Sequence, residues 1–126
     1  MYILILHSST QKKNYVHANP LPGKRSAKAD KFMREFSFAT LVTIQDNKPF
    51  ATHLPFVVEN RNEQLILQTH VAKQNPQWKD LKAGQEALVI FQEPHAYISP
   101  ALYEKQLNVP TWNYCAVHAY GKPTII

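Results

Sequence analysis

Trp112, Tyr114, His118 and Tyr120 all stand at even positions of Thr111 to Gly121, a stretch whose composition reads as a β-strand. Side chains alternate along a strand, so these four share one face while Asn113, Cys115, Val117 and Ala119 share the other, which suits the inside of a small barrel. The density of rings and imidazoles from Pro94 to Gly121 exceeds what a core alone requires. A contiguous face of Trp, Tyr, His and Tyr is too apolar to be left in water. A planar ligand or a partner subunit is therefore expected to cover it, the alternative being ordinary packing beneath a loop.

His70, Lys73 and the pair Asn75-Pro76 form a second constellation. Asn followed by Pro has the signature of a helix start, where free backbone amides and the helix dipole favour an anion. Lys73 adds a charge and His70 a further hydrogen bond, so a phosphate could rest there. An ordinary capped helix with a surface lysine fits the same spacing. Other chemistries fare worse. His53, His70, His95 and His118 show neither HExxH nor Cys/His finger spacing, the carboxylates are scattered, and haem has no ligation motif to support it. No metal site is expected. Ser99 lies outside any nucleophile elbow, and Cys115 is expected to point into the core, so no catalytic residue is assigned. With glycine only at Gly23, Gly84 and Gly121, the dinucleotide fingerprint and the P-loop are both excluded.

A length of 126 residues, 44% of them hydrophobic, suits one domain with a modest core that dimerisation would help to complete. A lone cysteine without a CxxC neighbour argues for a reducing compartment, the cytoplasm. Met1 to Leu6 is too short for a signal or a membrane span, and nothing else approaches one. The net charge of +5 is carried entirely by the segment ending at Glu35, where seven bases face two acids; beyond it seven bases meet seven acids. Such a basic arm could contact DNA or simply be a solvated tail, and no helix-turn-helix or zinc-finger pattern accompanies it.

These side chains need a scaffold. His7 to Lys24 is polar, aperiodic and rich in turn residues, so residues 1–25 read as a basic segment, disordered or foreign, and 26–126 as the folded domain. Ser26 can cap a helix in which Ala29, Phe32, Met33 and Phe36 form one apolar stripe. Ala39 to Gln45 and Phe50 to Glu59 read as a hairpin around Asp46 to Pro49, with Pro55 at an edge or bulge. Leu65 to His70 is a third strand, a short helix starts at Gln77, Ala87 to Phe91 and His95 to Ser99 are two extended pieces, and Trp112 to Gly121 is the last. Six strands with two short helices and no long crossover helices favour a small antiparallel barrel, mainly β with an α+β cast.

Four separated strings carry a family resemblance: Ala51 to Pro55 (ATHLP), His70 to Trp78 (HVAKQNPQW), Pro94 to Pro100 (PHAYISP), and Val109 to Tyr114 (VPTWNY) continuing as Ala116 to Gly121 (AVHAYG). From about Phe32 onward, in this order, the chain closely resembles the PaiB family, FMN-binding negative regulators of transcription. The resemblance implies an FMN-binding split β-barrel of the flavin-reductase and pyridoxamine-phosphate-oxidase kind, which dimerises and holds FMN at the subunit interface. Carried over by position, His53, Leu54 and Pro55 would line the isoalloxazine, His70, Lys73 and Asn75 would lie near the phosphate, and Trp112 and Asn113 would close the cleft, from either subunit. Family members pass quickly from M-Y-I-P into the first helix and continue well past the position of Ile126. The basic stretch here thus has no counterpart, and the chain resembles only their N-terminal part. A flavin-dependent reductase or oxidase is the alternative, since in such enzymes the cofactor carries the electron chemistry.

Overall fold

A computed structural model describes residues 1–8, 27–62, 64–99 and 111–126. The hairpin shows most directly how sequence dictates geometry. Asp46 and Asn47 take φ of 48° and 60°, the left-handed region that short polar side chains tolerate. They form a two-residue turn between β2 (Phe38–Gln45) and β3 (Lys48–Pro55), and Gln45 pairs directly with Lys48. The expected four-residue turn is thus tighter, and Pro49 lies within β3. An edge strand accommodates it, because one side of its ladder has no partner.

The order of the seven-stranded sheet is β3-β2-β6-β7-β1-β5-β4, all antiparallel. The remaining strands are β1 (Tyr2–Ser8), β4 (Val57–Arg61), β5 (Gln64–Val71), β6 (Ala87–Ile98) and β7 (Thr111–Ile125). β3 and β4 stand at opposite ends of that order, yet Phe56 alone separates them in sequence. The sheet must therefore curl until its two ends meet. Phe56 is the corner: its ring is buried 5.8 Å from that of Phe91 and its N–H donates to the Ser37 carbonyl at 2.9 Å. The Thr69 hydroxyl donates to the Pro55 carbonyl at 2.7 Å, tying β5 to the end of β3. The result is a mainly β split barrel with two short helices.

Inward-facing Leu41, Leu65, Leu67, Val89 and Phe91 fill its interior. Helix α1 (Ala27–Glu35) lays Ala29 and Met33 against this core, as the apolar stripe requires, and Arg34 Nε donates to the Val58 carbonyl at 3.2 Å. The proposed cap Ser26 lies outside the described residues. Helix α2 (Gln77–Lys82) adds Leu81. Among the described residues no helix is long and apolar enough to cross a membrane.

Three expectations are corrected. Residues Tyr2–Ser8, expected to belong to the disordered or foreign segment, form β1, paired with β5 on one side and β7 on the other, and without it those strands would not be joined. Residues 9–25, the rest of the basic segment, lie outside the described residues. The two extended pieces from Ala87 to Ser99 are one strand, β6, broken only by a bulge between Gln92 and His95 that absorbs Pro94. Cys115 is exposed rather than in the core. β2 pairs with β6 only opposite Leu88 to Ile90, so past the bulge β6 and β7 run on as a two-stranded arm, and alternation there no longer separates inside from outside.

A proline in β1 tests the largest correction. Ile5 pairs with Gln68 and with Thr124, so Ile5→Pro is expected to cost at least about 1–3 kcal/mol through lost ladder pairing. Chemical denaturation reads this directly; an unchanged midpoint would remove β1 from the sheet.

Candidate functional site

The side chain of Gln77 is fully buried, although it opens a helix only six residues long. A buried carboxamide must find partners. Its Nε2 reaches three acceptors, the carbonyls of Leu41 (3.3 Å) and Phe50 (3.1 Å) and the Thr43 hydroxyl (3.2 Å), so one side chain fastens α2 to both β2 and β3. Nothing in the motif strings singles out Gln77. The available signal was its spacing from Leu81, four residues on and on the same helical face.

With α2 anchored, the turn before it is fixed. Asn75 Oδ1 accepts the Gln77 N–H at 3.0 Å, its Nδ2 donates to the Thr52 hydroxyl at 2.9 Å, and its own N–H reaches the Ala72 carbonyl at 3.0 Å. The Trp78 indole Nε1–H donates to the Lys73 carbonyl at 3.1 Å. The Trp78 ring lies 4.9 Å from that of Tyr2 in β1, with the Lys79 ammonium 5.9 Å from the indole centroid.

This turn forms one wall of an open groove of about 530 Å³, lined by Met1, Leu54, His70, Ala72, Lys73 and Gln74. Leu54 comes from β3 and His70 from the end of β5. Three of the eight expected site residues, Leu54, His70 and Lys73, thus converge from three segments. Asn75 stands behind the groove, its carboxamide engaged by Thr52 and Gln77. Of the amides at this helix start, Pro76 has no N–H, that of Gln77 bonds Asn75, and that of Lys79 bonds the Pro76 carbonyl. The Lys73 and His70 side chains are both exposed.

His53 and Pro55 flank Leu54 in sequence and so occupy the opposite face of β3, where His53 Nδ1 shares a 2.9 Å hydrogen bond with the Thr40 hydroxyl. Trp112 and Asn113 do not line the groove; they are exposed on the arm, with the Trp112 ring 5.6 Å from that of Tyr97. Register rows on the outer face place His53 beside Thr40, Thr40 beside Ile90 and Ile90 beside His118, with Val42, Leu88 and Tyr120 in the next row. Phe38 (67% exposed), Ile44 (47%) and Trp112 (59%) leave much of this surface uncovered. Among the described residues no group of three or more His, Cys, Asp or Glu could hold a metal ion.

Residues 14–126 match the family described as "Putative FMN-binding domain". The chain is also 47% identical over 95 residues to the Bacillus subtilis protein named protease synthase and sporulation protein PAI 2, covering 75% of this chain and 45% of that one. The chain belongs to the PaiB family. PaiB-like sequence extends to fungi: an uncharacterised Saccharomyces cerevisiae protein is 43% identical over 81 residues (60% of this chain, 48% of the relative), and one from Aspergillus fumigatus 33% over 162 aligned positions (99% and 56%). The chain spans about half the length of these curated relatives.

Replacing the buried anchor should loosen the PaiB-type groove wall. Gln77→Leu keeps similar bulk but leaves the Leu41 and Phe50 carbonyls and the Thr43 hydroxyl without this donor, a loss of at least about 1–3 kcal/mol. Urea denaturation measures it; stability equal to the parent would show that the three contacts contribute nothing net.

Proposed function

We propose that the groove binds flavin mononucleotide, with Leu54 and the neighbouring apolar wall against the ring system and Lys73 and His70 toward the phosphate. The observation that carries this reading is the convergence in one groove of an apolar strand residue with a lysine and a histidine from two other segments. A flat polarisable ring with an anionic tail asks for such polarity, apolar at one end and cationic at the other. The family's description supports the same ligand. When bound, a flavin supplies one- or two-electron chemistry of its own. The chain's residues would orient it, neutralise its charge and exclude water from part of it.

The uncovered outer face supports a second element of the proposal: two copies pair through it. Val42, Ile44, Leu88, Ile90 and Tyr120 would then be shielded, and the arm bearing Trp112 and Asn113 would reach over the second copy's groove. His53 and Pro55, which face away from their own groove, would meet the ligand or the other subunit at that seam. Negative regulation of transcription is the output proposed for such a flavin-bound dimer within a longer protein, exerted through assembly rather than turnover. An exposed thiol at Cys115 supports a reducing, cytoplasmic setting.

Two measurements test these parts separately. Lys73→Ala should weaken FMN binding about ten- to hundredfold if it makes a direct charged hydrogen bond, read by quenching of flavin fluorescence; an unchanged affinity removes Lys73 from the site. Ile44→Lys should shift the protein from dimer to monomer in sedimentation velocity, because a charge would be buried in the seam. A parent chain that sediments as a monomer would refute pairing.

A further inference from the structure

We propose that Trp78 is a positioning residue that sets the groove's preference for a phosphorylated flavin over its unphosphorylated counterpart, an inference that rests on the flavin reading above. Trp78 does not line the groove. It touches it through one bond, the indole N–H to the Lys73 carbonyl at 3.1 Å. Lys73 and its neighbours Ala72 and Gln74 contribute half of the named groove lining, so the direction in which the lysine leaves the backbone depends on how this turn is held. Asn75 secures the turn's far end at the Ala72 carbonyl. Trp78 secures the lysine itself.

The indole is in turn held from two sides. The Tyr2 ring packs at 4.9 Å with a 34° tilt, and Lys79 lies 5.9 Å from its centroid. Tyr2 opens β1 and pairs with Val71, two residues before Lys73. A continuous physical path therefore runs from the N-terminal strand through Tyr2 and Trp78 to the backbone of Lys73, the one lysine of the groove lining among the described residues. A long flexible lysine loses much side-chain freedom when it meets a phosphate. Fixing its backbone removes part of that loss beforehand, and the gain falls only on ligands that carry the phosphate. The ring system, resting on Leu54 from another strand, is indifferent to it.

Affinities for FMN and riboflavin, measured by fluorescence quenching on the parent chain, Trp78→Phe and Lys73→Ala, decide the matter. Phenylalanine keeps an aromatic ring beside Tyr2 and removes the donor. The expected result is that Trp78→Phe lowers FMN affinity about two- to tenfold and leaves riboflavin affinity unchanged, in the direction of Lys73→Ala but smaller. Equal losses for both ligands, or no loss for either, would overturn the proposal. A parent chain that binds riboflavin as tightly as FMN overturns it as well, while leaving a flavin site standing. One that binds neither removes the flavin reading itself and this inference with it. Should Trp78→Phe fail to fold, the NMR signal of the Trp78 indole N–H in the parent chain replaces it. A shift on adding FMN that riboflavin does not reproduce supports the proposal; the same response to both, or none, refutes it.

Discussion

The helix-side wall of the groove depends on a polar side chain being taken out of water. The Gln77 carboxamide is buried beneath α2, and burial is tolerable only because acceptors from β2 and β3 converge on its nitrogen. A leucine there could pack in several rotations. A carboxamide that must meet the Leu41 and Phe50 carbonyls and the Thr43 hydroxyl together has one acceptable pose, and α2 inherits it. From that pose follow the positions of Asn75, the Lys73 turn and Trp78. The hydroxyl of Thr43, which also approaches Asp80 at 3.5 Å, extends the same polar seam along the helix. Directional bonds supply the specificity here that a six-residue helix could not draw from its own propensity.

The barrel supplies the other wall by a different constraint. β3 and β4 are consecutive in sequence and opposite in the sheet, so the chain can be satisfied only by a closed curl with Phe56 at the corner. That corner brings the end of β3 to β5, where Thr69 bonds the Pro55 carbonyl, and so places Leu54 across from His70. β1 completes the curl by joining β7 to β5. A groove between strands distant in sheet order is therefore a consequence of connectivity, and the lining side chains are chosen by where the split falls.

Much of this was legible in the residues. The stripe Ala29, Met33, the turn at Asp46-Asn47, the helix following Asn75-Pro76 and the inward pair Val117, Ala119 appear as read, because each rests on a local period or a turn chemistry that the fold does not override, whereas the extended run Phe50 to Glu59 divides at Phe56 into β3 and β4. Leu54, His70 and Lys73, which the family resemblance assigns to one site, line one groove. What escaped was non-local. β1 is seven residues at the very start, followed by polar sequence, and its role is visible only once β5 and β7 are known to need a strand between them. Cys115 was assigned to the interior by correct alternation applied beyond the point where β2 ends and the interior stops. Gln77 carries no local signal of burial, because glutamine usually marks a surface and its acceptors lie 27 to 36 residues away in the chain.

The triplet His53-Leu54-Pro55 joins the two faces of the molecule. Consecutive strand residues point to opposite sides, so a ligand lying wholly inside the groove could meet Leu54 but not the other two. β3, however, is an edge strand whose far side has no neighbour in the sheet. A flat ligand seated against that open edge could touch the backbone together with side chains of both faces, which an interior strand would forbid. The same edge borders the outer apolar surface through His53 and Thr40. One strand thus borders the groove with its inner face and the exposed apolar surface with its outer face, leaving a rim between them. A shift of β3 that alters one of these surfaces therefore alters the other two.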